Sequence, residues 1–315
     1  TESCGNLYAY VMERNFLLLQ KNGRAGMIVP HSAICTDRME YAINLLKNLS
    51  FWISTYSIRP AKLFIGVDQR LGIYLTAFIK SPHRYSTHYY NWQEEYRPYL
   101  FSGLVYKAVD AMSFQNSIPK TGSATESVIW QKLQVNNKLA EKLYGSSITY
   151  FHNAPRYWIR AMDFAPYFWN ERDGEQISTQ VKELHLPTKI DASVVVAILN
   201  STLFYWWFII LSDCRHLNLR EIENFPVELE KIPGETKQKL AELSKILMSD
   251  LQRHAQRKEC MYKATGKVIY DEFYPKYSKT IIDEIDKVLA THYGFTDEEL
   301  DFIINYDIKY RMGKE

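Results

Sequence analysis

The residues best suited to chemistry form a short run, Arg156-Tyr157-Trp158-Ile159-Arg160, in which two cations stand beside large amphipathic rings. That combination suits phosphate and groove contacts on a nucleic acid. The same spacing also fits a half-buried strand, with Tyr157 and Ile159 on one side and Trp158 and Arg160 on the other. A second aromatic stretch, Tyr85 to Tyr106, mixes His88, Tyr89, Tyr90, Trp92, Tyr96 and Tyr99 with Arg84 and Arg97. It admits base stacking, and reads more readily as a linker wrapped on two domains. His152, His185 and His216 are too dispersed for a catalytic or metal cluster. Cys4, Cys35, Cys214 and Cys260 show neither a Cys-x-x-Cys pair nor a His at ligand spacing, so no zinc site or disulfide framework is indicated. With reduced thiols expected and no apolar leader at the start, a cytoplasmic protein is expected.

The elements that must position these residues follow from periodicity. The 315 residues suffice for two or three domains. Net charge is only +2, but Lys80 to Asn170 holds ten Lys or Arg against six acids, a mild basic bias. Apolar spacing predicts a helix over Asn6 to Gln20, a strand over Ala25 to Val29, a helix over Asp37 to Leu49, and strands over Phe51 to Ile58 and Leu71 to Ile79. Alternation of this kind argues an open α/β sheet. After a loop at Thr121 to Glu126, an amphipathic helix is predicted over Val128 to Leu143. The most apolar stretch, Ser193 to Ser212, reads as a packed helix interrupted by Asn200, Ser201 and Thr202. It is long enough to cross a bilayer, but the polar residues at its middle and the lack of a basic flank argue against a membrane. Asn218 should cap a short helix over Leu219 to Asn224 that Pro226 stops. A long helix follows over Glu235 to Lys258, then one from Ser278 to Ala290 stopped by Gly294, and a last one opened by the Thr296/Glu299 capping box.

Several of these segments together resemble the adenine-specific DNA methyltransferases of the TaqI and Eco57I type. Leu199-Asn-Ser-Thr-Leu-Phe-Tyr-Trp206 followed by Arg215-His-Leu-Asn-Leu-Arg-Glu-Ile-Glu-Asn-Phe-Pro226 looks like the end of that family's target recognition domain. Leu7 to Leu19 and Gly23 to Pro30 look like the helix and strand after its catalytic Asn-Pro-Pro-aromatic motif. Ile148 to Arg160 resembles the start of the recognition domain's sheet, and Lys279 to Asp286 with Tyr293 to Leu300 its closing pattern. The catalytic motif and the Gly-rich turn that holds S-adenosylmethionine are found nowhere in the chain.

What the resemblance implies is a carboxy-terminal fragment. Its fold class would be α/β plus α+β: the remainder of a Rossmann-like methyltransferase sheet (residues 1–80), a linker and start of the recognition region (81–146), a mixed target recognition domain (147–233) and a helical tail (234–315). The parent would bind S-adenosylmethionine, and this fragment would hold no cofactor. Phe64, in Arg59 to Ile73, falls where the family places an aromatic residue against a flipped adenine, which regains on that ring the stacking it loses outside the duplex. A core residue at a strand edge is the other reading of Phe64. Lys62, Arg70, Arg156, Tyr157, Trp158, Arg160, Arg215, Asn218 and Arg220 are the candidate contacts to double-stranded DNA. A stand-alone DNA-specificity module is the alternative. A cut through the sheet would also leave the Ala25 to Val29 strand without a partner on one side, available to a second copy of the chain.

Overall fold

The computed structural model describes residues 2–112, 114–134, 137–263 and 265–313. The chain divides into two compact units, Thr1–Gln131 with Phe208–Asp213, and Lys132–Trp207 with Cys214–Glu315.

The first unit is built on one five-stranded sheet. Its strands are β1 (Arg24–Pro30), β2 (Ser50–Tyr56), β3 (Leu71–Ala77), β4 (Arg84–Tyr90) and β5 (Lys107–Ala108), in the order β1-β3-β2-β4-β5. β3 runs antiparallel to both β1 and β2, and β4 lies parallel to β2. Helices α1 (Leu7–Leu18) and α2 (Glu40–Lys47) cover one face because Ala9 and Met12, and Ala42, Ile43 and Leu46, recur at helical spacing over Val29, Phe51, Ile53 and Tyr74. On the opposite face Ile28 and Leu75 are exposed. β1 pairs with β3 alone; among the described residues no strand takes its other edge. The stretch predicted as a linker contributes β4, where Ser86, Thr87 and Tyr89 are buried and Tyr85 stacks on Trp52 at 5.9 Å. Its β-branched and aromatic residues fit a pleated surface.

Helix α3 (Ala124–Leu133) begins and ends earlier than Val128 to Leu143. The reason is a cap: the Glu126 carboxylate accepts the N–H groups of Gly122 and Ser123 at 2.7 and 2.9 Å, while Ser123 Oγ accepts that of Glu126 at 3.2 Å. Residues 135 and 136, within the predicted helix, lie outside the described residues.

The second unit carries two sheets. In one, β6 (Ser147–His152) lies between β7 (Ala161–Met162) and β10 (Val181–Leu186); the other contains β8 (Phe168–Asn170), β9 (Gly174–Glu175), β11 (Gln256–Tyr262) and β12 (Gly266–Glu272) in the order β11-β12-β8-β9. The helices are α4 (Lys189–Asn200), α5 (Thr202–Leu211, of which the residues from Phe208 on belong to the first unit), α6 (Leu219–Glu223), α7 (Gly234–His254), α8 (Lys279–Tyr293), α9 (Asp297–Ile304) and α10 (Ile308–Arg311). The tail is therefore not wholly helical. The β11/β12 hairpin interrupts it, and α7 ends at His254 rather than Lys258.

The apolar run is two helices, α4 and α5, bent by 64°. The three polar residues make the break. Asn200 Nδ2 donates to Ala161 O and Val196 O at 2.7 and 2.8 Å, and Ser201 Oγ accepts the Phe204 N–H at 3.0 Å. The buried Asp286 carboxylate on α8 accepts the N–H groups of Thr202 and Leu203, each at 3.1 Å. The first-turn donors of α5 are thus satisfied inside the core. No single helix among the described residues is long and apolar enough to cross a membrane. α6 starts after Asn218 as predicted, with Glu221 Oε2 accepting the Asn218 N–H at 3.0 Å, and Gly294, in the left-handed region at φ 67°, ends α8.

Candidate nucleic-acid interface

In the second unit the chain leaves β6 at His152 and returns to β7 at Ala161. The segment between is a loop, not the alternating strand its spacing allowed. Its ends are pinned: the His152 N–H donates to Arg160 O at 2.9 Å, and the Asn153 N–H to Gln180 O at 2.8 Å. The Leu217 N–H donates to Asn153 O at 2.9 Å, which ties the loop to the segment carrying Arg215 and Asn218.

This loop lines a cavity of about 660 Å³ with Arg156, Tyr157, Trp158 and Arg160. Tyr167 and Phe168 also line it, as do Tyr262 and Tyr270 from the β11/β12 hairpin. The hairpin's acids there are already paired. Asp271 takes two hydrogen bonds from Arg257, at 2.8 and 2.9 Å, and that guanidinium lies 3.9 Å from the Tyr167 ring centroid. Glu272 faces Lys258 at 3.7 Å and accepts the Tyr274 hydroxyl. Arg156 is exposed and has no ion-pair partner among the described residues. Burial and then Arg160 hold the His152 imidazole down to about 4, so it is neutral near pH 7 and its Nδ1 accepts the Ala154 N–H at 3.2 Å. The groove therefore combines flat aromatic faces, two arginines and neutral polar groups, side chains of the kinds that contact phosphates and planar bases.

The candidate contacts differ in what they are free to do. Trp158 is buried, with its indole N–H given to Arg311 O at 3.1 Å, so it holds the loop rather than presenting a ring. Arg220 pairs at 2.7 Å with the fully buried Glu221 and thereby neutralises a carboxylate inside α6. Arg215 and Asn218 are exposed. The β11/β12 hairpin was not visible in the sequence; only Val268-Ile269-Tyr270 hinted at a strand, among charged neighbours.

In the first unit Phe64 is half exposed and lines a cavity of about 270 Å³ with Ile28, Leu63, Ile73, Arg97, Leu100 and Phe101. It is not a core residue. Arg97 fixes the segment before it, donating to Leu63 O at 3.0 Å and Lys62 O at 2.7 Å while its guanidinium sits 4.8 Å from the Trp92 ring centroid. Lys62 pairs with the exposed Asp68, a contact that solvent weakens. Arg70 is partly buried and its Nε is enclosed without a hydrogen bond, whereas its carbonyl accepts the His31 N–H at 3.1 Å. His31 is buried beside Lys120, Asp213 and Arg70, and burial foremost drives its imidazole down to about 3. The turn after β1, His31-Ser32-Ala33-Ile34, is largely buried and carries no glycine.

No family model matches the chain, and no curated protein matches it. Among solved structures, one described as "Characterization and crystal structure of the type IIG restriction endonuclease BpuSI" aligns over 94% of this chain at 10% identity, with a TM-score of 0.29. The chain spans about half, 49%, of the length of that protein. A likeness this distant carries no function across.

Proposed function

We propose that this chain is the carboxy-terminal part of an adenine-specific DNA methyltransferase of a restriction-modification system, supplying target recognition and one wall of the pocket for a flipped adenine. The observation that carries this reading is the groove in which Arg156, Tyr157 and Arg160 meet Tyr167, Tyr262 and Tyr270. The segments that resemble the methyltransferases converge on its supports: the Arg215 to Pro226 segment is bonded to the groove loop, and α4 to β7 through Asn200. Phe64 fits the second half of the reading, since it is accessible on a largely apolar cavity where a base could stack. S-adenosylmethionine and the catalytic motif would belong to the parent, and the remnant sheet of the first unit would be the end of its Rossmann-like domain. Double-stranded DNA is the partner and the cytoplasm the compartment on this reading. One observation favours the stand-alone specificity module instead: every residue lining the groove lies within the second unit.

Fluorescence anisotropy with a labelled duplex tests the recognition role. Affinity should fall steeply with salt as phosphate contacts release counterions, and Arg156→Ala with Arg160→Ala should weaken binding and flatten the salt slope by about 2. An unchanged slope in that double variant would remove the groove from the DNA. In the parent enzyme, Phe64→Ala should lower methylation more than Phe64→Trp.

A further inference from the structure

The groove loop has no regular secondary structure, yet its central backbone is held from the far end of the chain. Arg311, on α10, is 2% exposed. Its Nε donates to Tyr157 O at 3.0 Å, and its guanidinium lies 3.9 Å from the Trp158 ring centroid and 4.6 Å from that of Tyr205. Trp158 returns the contact, giving its indole N–H to Arg311 O at 3.1 Å. One guanidinium thus fixes the carbonyl of one groove residue and the ring of the next. Its remaining edge is held as well: Nη1 donates to Thr202 Oγ1 at 3.2 Å and to Tyr306 O at 3.5 Å. Thr202 is in turn fixed by Asp286, which accepts its N–H at 3.1 Å.

We propose that Arg311 is the positioning residue of the groove: it touches no ligand, but holds Tyr157 and Trp158 so that Arg156 and Arg160, on either side, reach a nucleic acid from a fixed loop. A buried guanidinium is costly unless its donors are satisfied. Here the cost is met by carbonyls, a hydroxyl and two ring faces, with Asp286 and Asp307 supplying opposite charge nearby. Lysine cannot reproduce this arrangement, because a point-like ammonium has neither the planar fork nor the stacking face. The gain is in preorganisation. A loop that is ordered before binding does not lose its conformational freedom on binding.

This inference rests on the reading of the groove as the DNA contact, and its test separates the two. Duplex affinity, its salt slope and backbone hydrogen exchange are measured on the full chain for Arg311→Gln, Arg311→Lys and the exposed Lys309→Ala of the same helix. The expected result is a tenfold or greater loss of affinity in Arg311→Gln and a smaller loss in Arg311→Lys. The salt slope should stay at the wild-type value, because Arg311 makes no phosphate contact. Exchange should rise in residues 153–160 while α7 and α8 keep their protection. Wild-type affinity in both Arg311 variants would overturn the proposal, as would an equal loss in Lys309→Ala or a general loss of protection. Should Arg311→Gln fail to fold, Arg311→Lys decides alone by the same measures. Should the wild-type chain bind no duplex, the reading of the groove fails, and the exchange of residues 153–160 still decides whether Arg311 holds the loop.

Discussion

The two units bury their apolar residues in opposite ways. In the second, every apolar side chain from Val194 to Trp207 is almost completely inaccessible, enclosed with α7 and α8 around the bend at Ser201. In the first, one sheet has a single helical layer on it, and Leu7, Leu17, Ile28, Leu75 and Phe78 stay exposed, Leu7 by 79%. Soluble domains rarely leave apolar side chains in patches without a reason. The first unit leaves more of its large apolar side chains open, and among the described residues β1, at its rim, is paired on one side only.

The largest expected effect tests the self-sufficiency of the second unit. Trp206 is fully buried in α5, and Trp206→Ala should cost about 3 to 5 kcal/mol through lost burial and the cavity left behind. Denaturant unfolding followed by hydrogen exchange should place that loss in the second unit. Equal loss of protection in β1 to β4 would show that the units unfold as one.

Acid should separate the units next. In the first, burial holds His31 down to about 3 and His88 to about 4, below the unfolded value near 6.5. The unfolded chain then binds more protons across that interval, so stability is full above pH 6.5 and falls as pH drops, by about 1.4 kcal/mol per unit for each imidazole. The second unit has His152 and His292, with the same sign, but burial pushes Asp286 up to about 6 and raises Asp163 as well. A raised carboxyl makes the native state bind more protons between the unfolded value near 4 and 6, which adds stability as pH falls through that window. The two kinds of shift oppose each other. Between pH 6 and 4 the first unit should lose exchange protection before the second, and Asp286→Asn should remove the second unit's advantage.

What the sequence showed and what it hid divides along the same physical line. β1, β2, β3, α6, α8 and α9 rest on signals a few residues apart, such as the Thr296/Glu299 box, where the Glu299 N–H donates to Thr296 Oγ1 at 3.3 Å. The groove rests on distant partners. Trp158 finds Arg311 153 positions away, and α5 finds its capping carboxylate 84 positions away. β11 was hidden for another reason. As an edge strand of Gln256-Arg-Lys-Glu-Cys-Met-Tyr it is mostly exposed, so it lacks the apolar alternation that marks a half-buried strand. The candidate cations Arg156 and Arg160 were legible by type, but the hairpin wall facing them was not.

A smaller effect concerns the exposed face of the first unit. A second copy pairing at β1 would cover Ile28 and Leu75, so light scattering should show association that rises with concentration and is weakened by Ile28→Lys. A strict monomer at high concentration, with β1 as protected as β3, would mean that the open face needs no cover.

The smallest effect sharpens the other side of the comparison, at the hairpin the sequence concealed. Arg257 joins β11 to Asp271 on β12 and stacks on Tyr167, which lines the groove. The guanidinium is half exposed, so solvent screens the ion pair and its contribution to folding is small. Arg257→Ala should therefore leave the unfolding midpoint nearly unchanged. Its effect on binding has a definite direction even so. Removing Arg257 frees Asp271 as an unpaired negative charge beside Arg156 and Arg160, and leaves Tyr167 without the cation that fixes its ring. Duplex affinity should fall a few-fold, and Arg257→Ala with Asp271→Asn should recover most of that loss because the uncompensated charge is gone. If the double variant binds no better than the single one, the contribution of Arg257 is a direct contact with the nucleic acid rather than neutralisation of the groove wall.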